Sequence, residues 1–426
     1  METILIAVGL TLLALFGAPL FAIIGAVAIL SFAGEGIDPS AMMVDLNRIA
    51  TNPTLVAIPL FTFAGYMLAE SKAPTRIVDL ARAMFGSFPG GLAVVALVTC
   101  AVFTAFTGAS GVTIVALGGL LYPILLNEKY PEKFSLGLVT TSGSLGLLFP
   151  PSLPLILYAL IATISVDKLF AAGIIPGFLL LIILSGYAVF QGKRLKVPRH
   201  PFHWSTLRRT LRAAAWEIPL PVVIIGGIYT GIFTATEAAA VTAFYVLIVE
   251  VFIYKDLNLF KDVPRVMKDS LLLVGAILMI IGVAMGLTNY LVDQEVPARL
   301  FGFTKTFISS GTMFLVVLNL FLIVVGMMMD IFSAIIVVVP LITPIALGYG
   351  INPVHLGIVF LTNLEIGYLT PPVGLNLFIS SLRFHKPVFT VVRATLVYIG
   401  ILLVALVIIT YVPDLRLWLV RAMGVR

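Results

Sequence analysis

One stretch of this chain is written twice, and each copy is an apolar run that cannot stay a continuous helix. Residues 136–155 read LGLVTTSGSLGLLFPPSLPL, and residues 356–377 read LGIVFLTNLEIGYLTPPVGLNL. Leu136-Gly137 recurs 220 residues later as Leu356-Gly357. Gly146 and Pro150-Pro151 recur 221 residues later as Gly367 and Pro371-Pro372, so the second copy carries one extra residue. Proline has no N–H and its ring crowds the preceding turn, so two in succession open the backbone. In hydrocarbon, open backbone survives only where protein buries it or where it lines a cavity. Matched broken helices in two halves of a chain point to the substrate and ion site of a transporter.

The surroundings of the two copies are those of a membrane protein. Of 426 residues, 60% are hydrophobic and 11% charged, against about 25% charged in a soluble domain; mean hydropathy is +1.14. The net charge of +6 needs no nucleic-acid partner, because Lys and Arg holding cytoplasmic loops produce the same excess. The single Cys100 excludes an intrachain disulfide and a cysteine metal site. No Walker A loop is present, and none of the four His pairs with Cys or carboxylate at metal spacing, so the sequence carries no enzyme constellation. The N-terminus lacks a basic n-region and reads as a retained first span.

A bilayer-spanning helix needs about 20 apolar residues. Spans are expected at 4–32, 54–69, 170–190, 218–233, 238–254, 271–291 and 395–412. Hairpins are expected at 91–126 and 312–347, with broken spans at 135–164 and 356–382. Residues 191–217 form the longest polar stretch, with seven Lys/Arg and one acid, and are assigned to the cytoplasm. They divide the chain into a first half, 1–190, and a second half, 218–426. If each hairpin enters and leaves on one side, the two hairpins open to opposite faces. The C-terminal Arg416, Arg421 and Arg426 fit that topology least well. The fold expected is an all-α polytopic membrane protein, an inverted-topology repeat with two re-entrant helical hairpins and two broken helices. Pro74-Thr75-Arg76 and Pro297-Ala298-Arg299 extend the repeat upstream. The segments Ala73–Phe85 and Val296–Phe307 mix charged and apolar residues at helical spacing, as helices lying along the membrane surface do; ordinary loops are the alternative.

Candidate site residues cluster at the hairpin turns and the breaks. The first turn holds Thr104, Thr107, Gly108, Ser110, Gly111 and Thr113. Hydroxyls and close-approaching carbonyls suit a hard cation; the same small residues also suit helix packing. In the second turn Asp330 lies between long apolar runs. An intramembrane carboxylate costs roughly 2.5–3.5 kcal/mol on insertion scales and is a functional candidate by default, and Asp also caps helix N-termini. Asn363, Glu365 and Asn376 flank the second break, where each can ligate an ion, bond a substrate or satisfy opened backbone. Glu237, in TATEAAAVTAF, suits the start of a helix.

These motifs resemble the large membrane subunit of the TRAP (tripartite ATP-independent periplasmic) transporters. The resemblance runs through IPLF at 58–61, the first turn followed by VALG at 115–118, and GLLFPPS at 146–152. It continues through MMDIFSAI at 328–335 and GYLTPPVGLNLF at 367–378. Thr107 and Ala109 stand where that family commonly has Ser. The resemblance implies a sodium-driven importer of an organic acid, such as sialic acid or a dicarboxylate, in the bacterial inner membrane, working by an elevator mechanism. Its implied partners are a small four-helix membrane subunit and a periplasmic substrate-binding protein, with sodium as the coupling ion and no other cofactor. One sodium site would involve Ser110, Gly146, Phe149 and Pro151, the other Gly326, Gly367, Thr370 and Val373. Thr107, Ser110, Asp330, Asn363, Glu365 and Asn376 are the candidates facing substrate. A stand-alone elevator-type anion/sodium symporter and a channel remain as alternatives.

Overall fold

The computed structural model describes residues 18–38, 53–198 and 201–412 throughout, with isolated positions between 9 and 51. The expected start of the first span at residue 4 and the basic C-terminal residues 416, 421 and 426 lie outside the described residues. Among the described residues every regular element is helical.

The first half runs α1 (Leu20–Gly34), α2 (Ala57–Glu70), α3 (Ala73–Phe85), α4 (Gly91–Thr107), α5 (Ser110–Asn127), α6 (Glu132–Ser142), α7 (Leu153–Ile161) and α8 (Val166–Leu195). A short helix, α9 (Trp204–Ala213), interrupts the connector. The second half runs α10 (Pro219–Tyr229), α11 (Ala235–Ile253), α12 (Asp262–Asp293), α13 (Val296–Phe307), α14 (Gly311–Met328), α15 (Ile331–Gly348), α16 (Pro353–Gly367), α17 (Leu375–Phe384) and α18 (Val388–Tyr411). Seven of these (α5, α8, α11, α12, α14, α15 and α18) are long and apolar enough to cross a membrane. The pair on either side of the first break, bent by 47°, makes an eighth.

Both expected hairpins form within a residue or two of their anticipated limits. The first helix breaks through a tight turn at Leu145–Leu148, and the second is open over residues 368–374. The Pro150-Pro151 and Pro371-Pro372 peptide bonds are both cis. The two amphipathic segments are helices, α3 and α13, so the loop alternative falls away. Two expected spans are corrected: 54–69 forms only the 14-residue α2, and 218–233 contains only the 11-residue α10, each too short to cross alone; α10 is the shorter. It ends where Gly231 turns the chain at φ 72°, a conformation open to glycine and strained for other residues. The connector is likewise not all loop, since α8 runs on to Leu195 and α9 follows.

Packing exchanges elements between the halves. α1 lies along α12 and α2 along α11; α6 packs on α18 and α8 on α16; α7 packs on α15, and α17 on the second helix of the first hairpin. Within each half the first hairpin helix lies against its own break, α4 on α6 and the following turn, α14 on α16. Glu237 opens α11 in a capping box: Thr234 Oγ1 accepts from the Glu237 N–H at 3.2 Å, and the Glu237 carboxylate accepts from the Thr234 N–H at 2.8 Å, satisfying two otherwise orphaned donors. Arg76 fastens α3 to the second half. Its guanidinium pairs with Glu217, with Asp256 and, at 3.1 Å, with Glu250, and lies 3.8 Å over the Tyr254 ring. Burial pushes the Glu217 carboxyl up, and the Arg76 charge draws it back.

Candidate functional site

The two hairpin turns and the two breaks meet. A cavity of about 600 Å³ is lined by Gly108 to Val112 of the first turn, Leu147 of the first break and Asp330 to Phe332 of the second turn. Tyr368, Leu375 and Ile379 come from around the second break, and Tyr66, Glu70 and Leu273 from α2 and α12. Three helices, α5, α15 and α17, begin at lining residues, so their positive ends face the space. The charged lining groups are Asp330 and Glu70, the latter paired with Arg265 of α12 at 2.9 Å; no Lys or Arg lines the space itself. Among the described residues no group of three His, Cys, Asp or Glu could hold a metal ion. A cation here therefore depends on carbonyl and hydroxyl oxygens, the ligands a hard ion accepts.

The first turn closes on Gly108, whose φ is 63° and whose N–H bonds the Thr104 carbonyl at 2.8 Å. A Cβ at Gly108 would lie 2.7 Å from the Leu153 side chain. The Thr104 and Thr113 hydroxyls stand 2.7 Å apart, and Thr104 Oγ1 donates to the Gly143 carbonyl at 2.9 Å. This ties the two hairpin helices to the first break. The Ser110 hydroxyl donates to Asn376 Oδ1 at 2.8 Å, joining the first turn to α17 across 266 residues. The Asn376 N–H in turn donates to the Tyr368 carbonyl at 3.2 Å.

The second turn closes on a carboxylate instead. Asp330 caps α15: its Oδ1 accepts from the N–H groups of Phe332 and Ser333 at 3.0 and 3.1 Å, and the Ser333 hydroxyl donates to Oδ2. The Ile331 N–H donates to the Tyr368 hydroxyl. The capping role anticipated for Asp330 is thus present at a residue that also lines the cavity. At the second break the backbones nearly touch. A Cβ at Gly367 would lie 2.6 Å from Gly326 Cα, and one at Gly326 3.1 Å from Gly367 Cα. The Gly374 N–H closes the same contact on the Met327 carbonyl at 3.0 Å. Gly146 does the same at the first break, where a Cβ would lie 2.2 Å from the Ala101 carbonyl oxygen.

The residues implied as sodium ligands separate by environment. The Gly146 carbonyl accepts from the Phe149 N–H, the Phe149 carbonyl from the Ser152 N–H and the Gly367 carbonyl from the Thr370 N–H, at 3.0, 3.1 and 2.9 Å. Each oxygen keeps a second lone pair for another partner. Thr370 Oγ1 donates to the Ile366 carbonyl at 2.8 Å, Pro151 is buried and Val373 is 43% exposed. Four of the six residues expected to face substrate, Thr107, Asn363, Glu365 and Asn376, do not line the cavity, although Asn376 bonds Ser110, which does. The Thr107 hydroxyl is buried with no hydrogen-bond partner, and so are both carboxyl oxygens of Glu365. Asn363 Nδ2 donates to Asn319 Oδ1 at 2.7 Å and to the Val359 carbonyl at 2.8 Å, and Asn319 Nδ2 donates to Thr410 Oγ1 at 3.2 Å. That chain holds α16, α14 and α18 together and stands apart from the cavity. Tyr66, Glu70 and Tyr368 line the cavity and are not among the residues expected from the sequence. Tyr368 sits inside the second GYLTPP motif and was within reach of the sequence; Tyr66 and Glu70 have no local signal.

A many-spanning helical chain whose two hairpin turns and two helix breaks close on one cavity has the build of a membrane transporter subunit. The sequence profile described as "Tripartite ATP-independent periplasmic transporter, DctM component" matches residues 4–415, and the chain belongs to that family, as a multi-pass large permease and not an enzyme. It is 38% identical over 403 residues to the C4-dicarboxylate TRAP transporter large permease protein DctM of Pseudomonas aeruginosa, covering 94% of this chain and 93% of that one. It is 33% identical over 369 residues to the isethionate TRAP transporter permease protein DctMQ of Oleidesulfovibrio alaskensis, covering 85% of this chain and 58% of that one. In fold it is similar to the YdaH transporter of Alcanivorax borkumensis, whose crystal structure is described as having an unusual topology. That match has a TM-score of 0.65 at 12% identity and covers 87% of each chain.

Proposed function

We propose that this chain is the permease of a sodium-coupled, binding-protein-dependent importer of an organic acid in the bacterial inner membrane. The observation that carries the reading is the charge layout of the cavity. Three helix N-termini face it, which favours an anion, yet among the described residues the one lining charge without a salt bridge is the Asp330 carboxylate, since Glu70 pairs with Arg265 of α12 at 2.9 Å. An anionic substrate entering beside Asp330 gains from accompanying cations. The helix ends, the carbonyls of Gly146, Phe149 and Gly367, each with a lone pair left beside its one N–H partner, and Gly326 in the last turn of α14 are the kind of oxygen-rich backbone on which transporters hold coupling ions.

The exchanged packing, α1 with α12 and α2 with α11, is what two halves of opposite orientation produce, and it supports the inverted repeat. In the elevator reading these four helices are the scaffold, and the hairpins with their broken helices move as one body. The cross-links from Ser110 to Asn376 and from the Ile331 N–H to Tyr368 favour movement of both turns together. Relatives named for C4-dicarboxylates and isethionate support a small organic anion as substrate. The DctMQ relative, which is longer than this chain, is consistent with a small membrane subunit beside it, and the family's tripartite description with a periplasmic binding protein. The test is uptake into proteoliposomes containing both membrane subunits and supplied with the binding protein. Uptake should need an inward sodium gradient and the binding protein. Full uptake from a pH gradient in sodium-free buffer would overturn the coupling, and full uptake without the binding protein would favour the stand-alone symporter.

A further inference from the structure

A second cavity, of about 640 Å³, lies between α3 and α9, away from the transport site, and its charge is of the opposite kind. Its ionisable lining is Arg76, Arg82 and Arg209 with Asp79 and His203, and Thr206 and Thr210 also line it. Arg76 is already consumed by Glu217, Glu250 and Asp256. Arg82 and Arg209 are not: among the described residues neither has an ion pair, and Arg82 Nε is buried with no hydrogen-bond partner. A buried guanidinium N–H left unsatisfied is costly, and a planar donor fork beside a second arginine matches phosphate geometry. Asp79 offsets one of the two open charges, so the cavity suits a small, compact anion.

Its height relative to the bilayer can be read from its rim. Phe202 and Trp204, 49% and 70% exposed, flank the start of α9 with ring centroids 6.2 Å apart. Exposed aromatic rings of this kind settle at lipid headgroup level. The basic connector places this rim on the face assigned to the cytoplasm, where anionic headgroups and basic pockets meet.

We infer that the α3–α9 cavity binds a phosphate group, with Arg82 and Arg209 as its donors, and that the exposed aromatic rim makes the phosphate of an anionic phospholipid its occupant. The site would fasten α3, and through Arg76 the second half, to the membrane surface. The test is native mass spectrometry and thermal shift on the full-length permease in neutral detergent. The titrants are phosphatidylglycerol, phosphatidylcholine and inorganic phosphate.

Phosphatidylglycerol should bind and raise the unfolding temperature, and phosphatidylcholine should do so at least roughly tenfold more weakly, the scale of losing a charge-assisted contact. Arg209→Gln, at an exposed position, should weaken phosphatidylglycerol by a similar factor without affecting folding. Arg82→Gln should act in the same direction, and Asp79→Asn should tighten binding. If inorganic phosphate matches phosphatidylglycerol, the phosphate site stands and its occupant is a soluble phosphate. Equal binding of the two lipids, or phosphatidylglycerol binding unchanged in both Arg82→Gln and Arg209→Gln, overturns the site.

Discussion

The two hairpin turns occupy matching places and are closed by different chemistry. The first uses backbone freedom: Gly108 in the left-handed region, with no side-chain cap on the helix that follows. The Thr104 and Thr113 hydroxyls meet each other and the Gly143 carbonyl, Ser110 donates to Asn376, and Thr107 is buried without a partner. The second uses a charge: Asp330 in ordinary extended geometry, its carboxylate held by two N–H groups and a hydroxyl of its own helix. The first turn therefore offers neutral oxygens, and the second a fixed negative charge beside the same cavity. Matching position does not require matching ligands, and the asymmetry gives each turn a separate experimental handle.

The largest effect is expected at the charged turn. Asn caps a helix about as well as Asp, so Asp330→Asn removes the charge and keeps the cap, while Asp330→Ala removes both. Uptake by either should fall by roughly a hundredfold, in line with losing a hydrogen-bonded charge, while the protein still inserts. Uptake retained by Asp330→Asn and lost by Asp330→Ala would assign Asp330 to capping alone.

Next is charge movement. If each break holds one sodium and the substrate is a monoanion, one net positive charge enters per cycle. A potential of 100 mV supplies about 2.3 kcal/mol per charge, which corresponds to roughly fifty-fold accumulation. Proteoliposomes clamped at different potassium-diffusion potentials measure this with a known monoanionic substrate. A plateau that ignores the potential rejects the two-sodium, one-monoanion count and makes the two breaks unequal as ion sites.

A smaller effect is expected at the link between the turns. Ser110→Ala leaves Asn376 Oδ1 without its buried donor, a loss of about 1–3 kcal/mol visible as a lower unfolding temperature. An unchanged midpoint would show that the link is not part of what holds the turns together. The smallest effect separates the backbone geometries. Gly108→Ala should destabilise by about 1–2 kcal/mol for the left-handed conformation alone, with the Leu153 contact adding to it. Met329→Ala, at the extended residue preceding Asp330, needs no such conformation and should cost less.

What the sequence showed and what it withheld divide by distance along the chain. The proline pairs, the Asp330 cap, the Thr234–Glu237 box and the two amphipathic helices are local signals, readable within a turn or two. Ser110 and Asn376 are 266 residues apart, and no periodicity reports such a contact. The Asn363–Asn319–Thr410 chain is hidden for the same reason. An Asn beside a break looks alike whether it faces a cavity or ties helices together. Glu70 ends α2 next to a polar loop, where a carboxylate needs no special explanation until α12 and the turns are brought beside it.

The exchanged packing also bears on how the protein is made. A ribosome delivers α1 and α2 to the membrane long before α11 and α12 exist, and the partner of Ser110 arrives 266 residues after it. The first half must wait in lipid with its polar turn unsupported and the faces meant for α12 and α11 uncovered. A chain stopped in the connector is thus an unfinished membrane protein, exposed to quality control and not a working half-transporter. The order of synthesis makes the second half the component that completes the first.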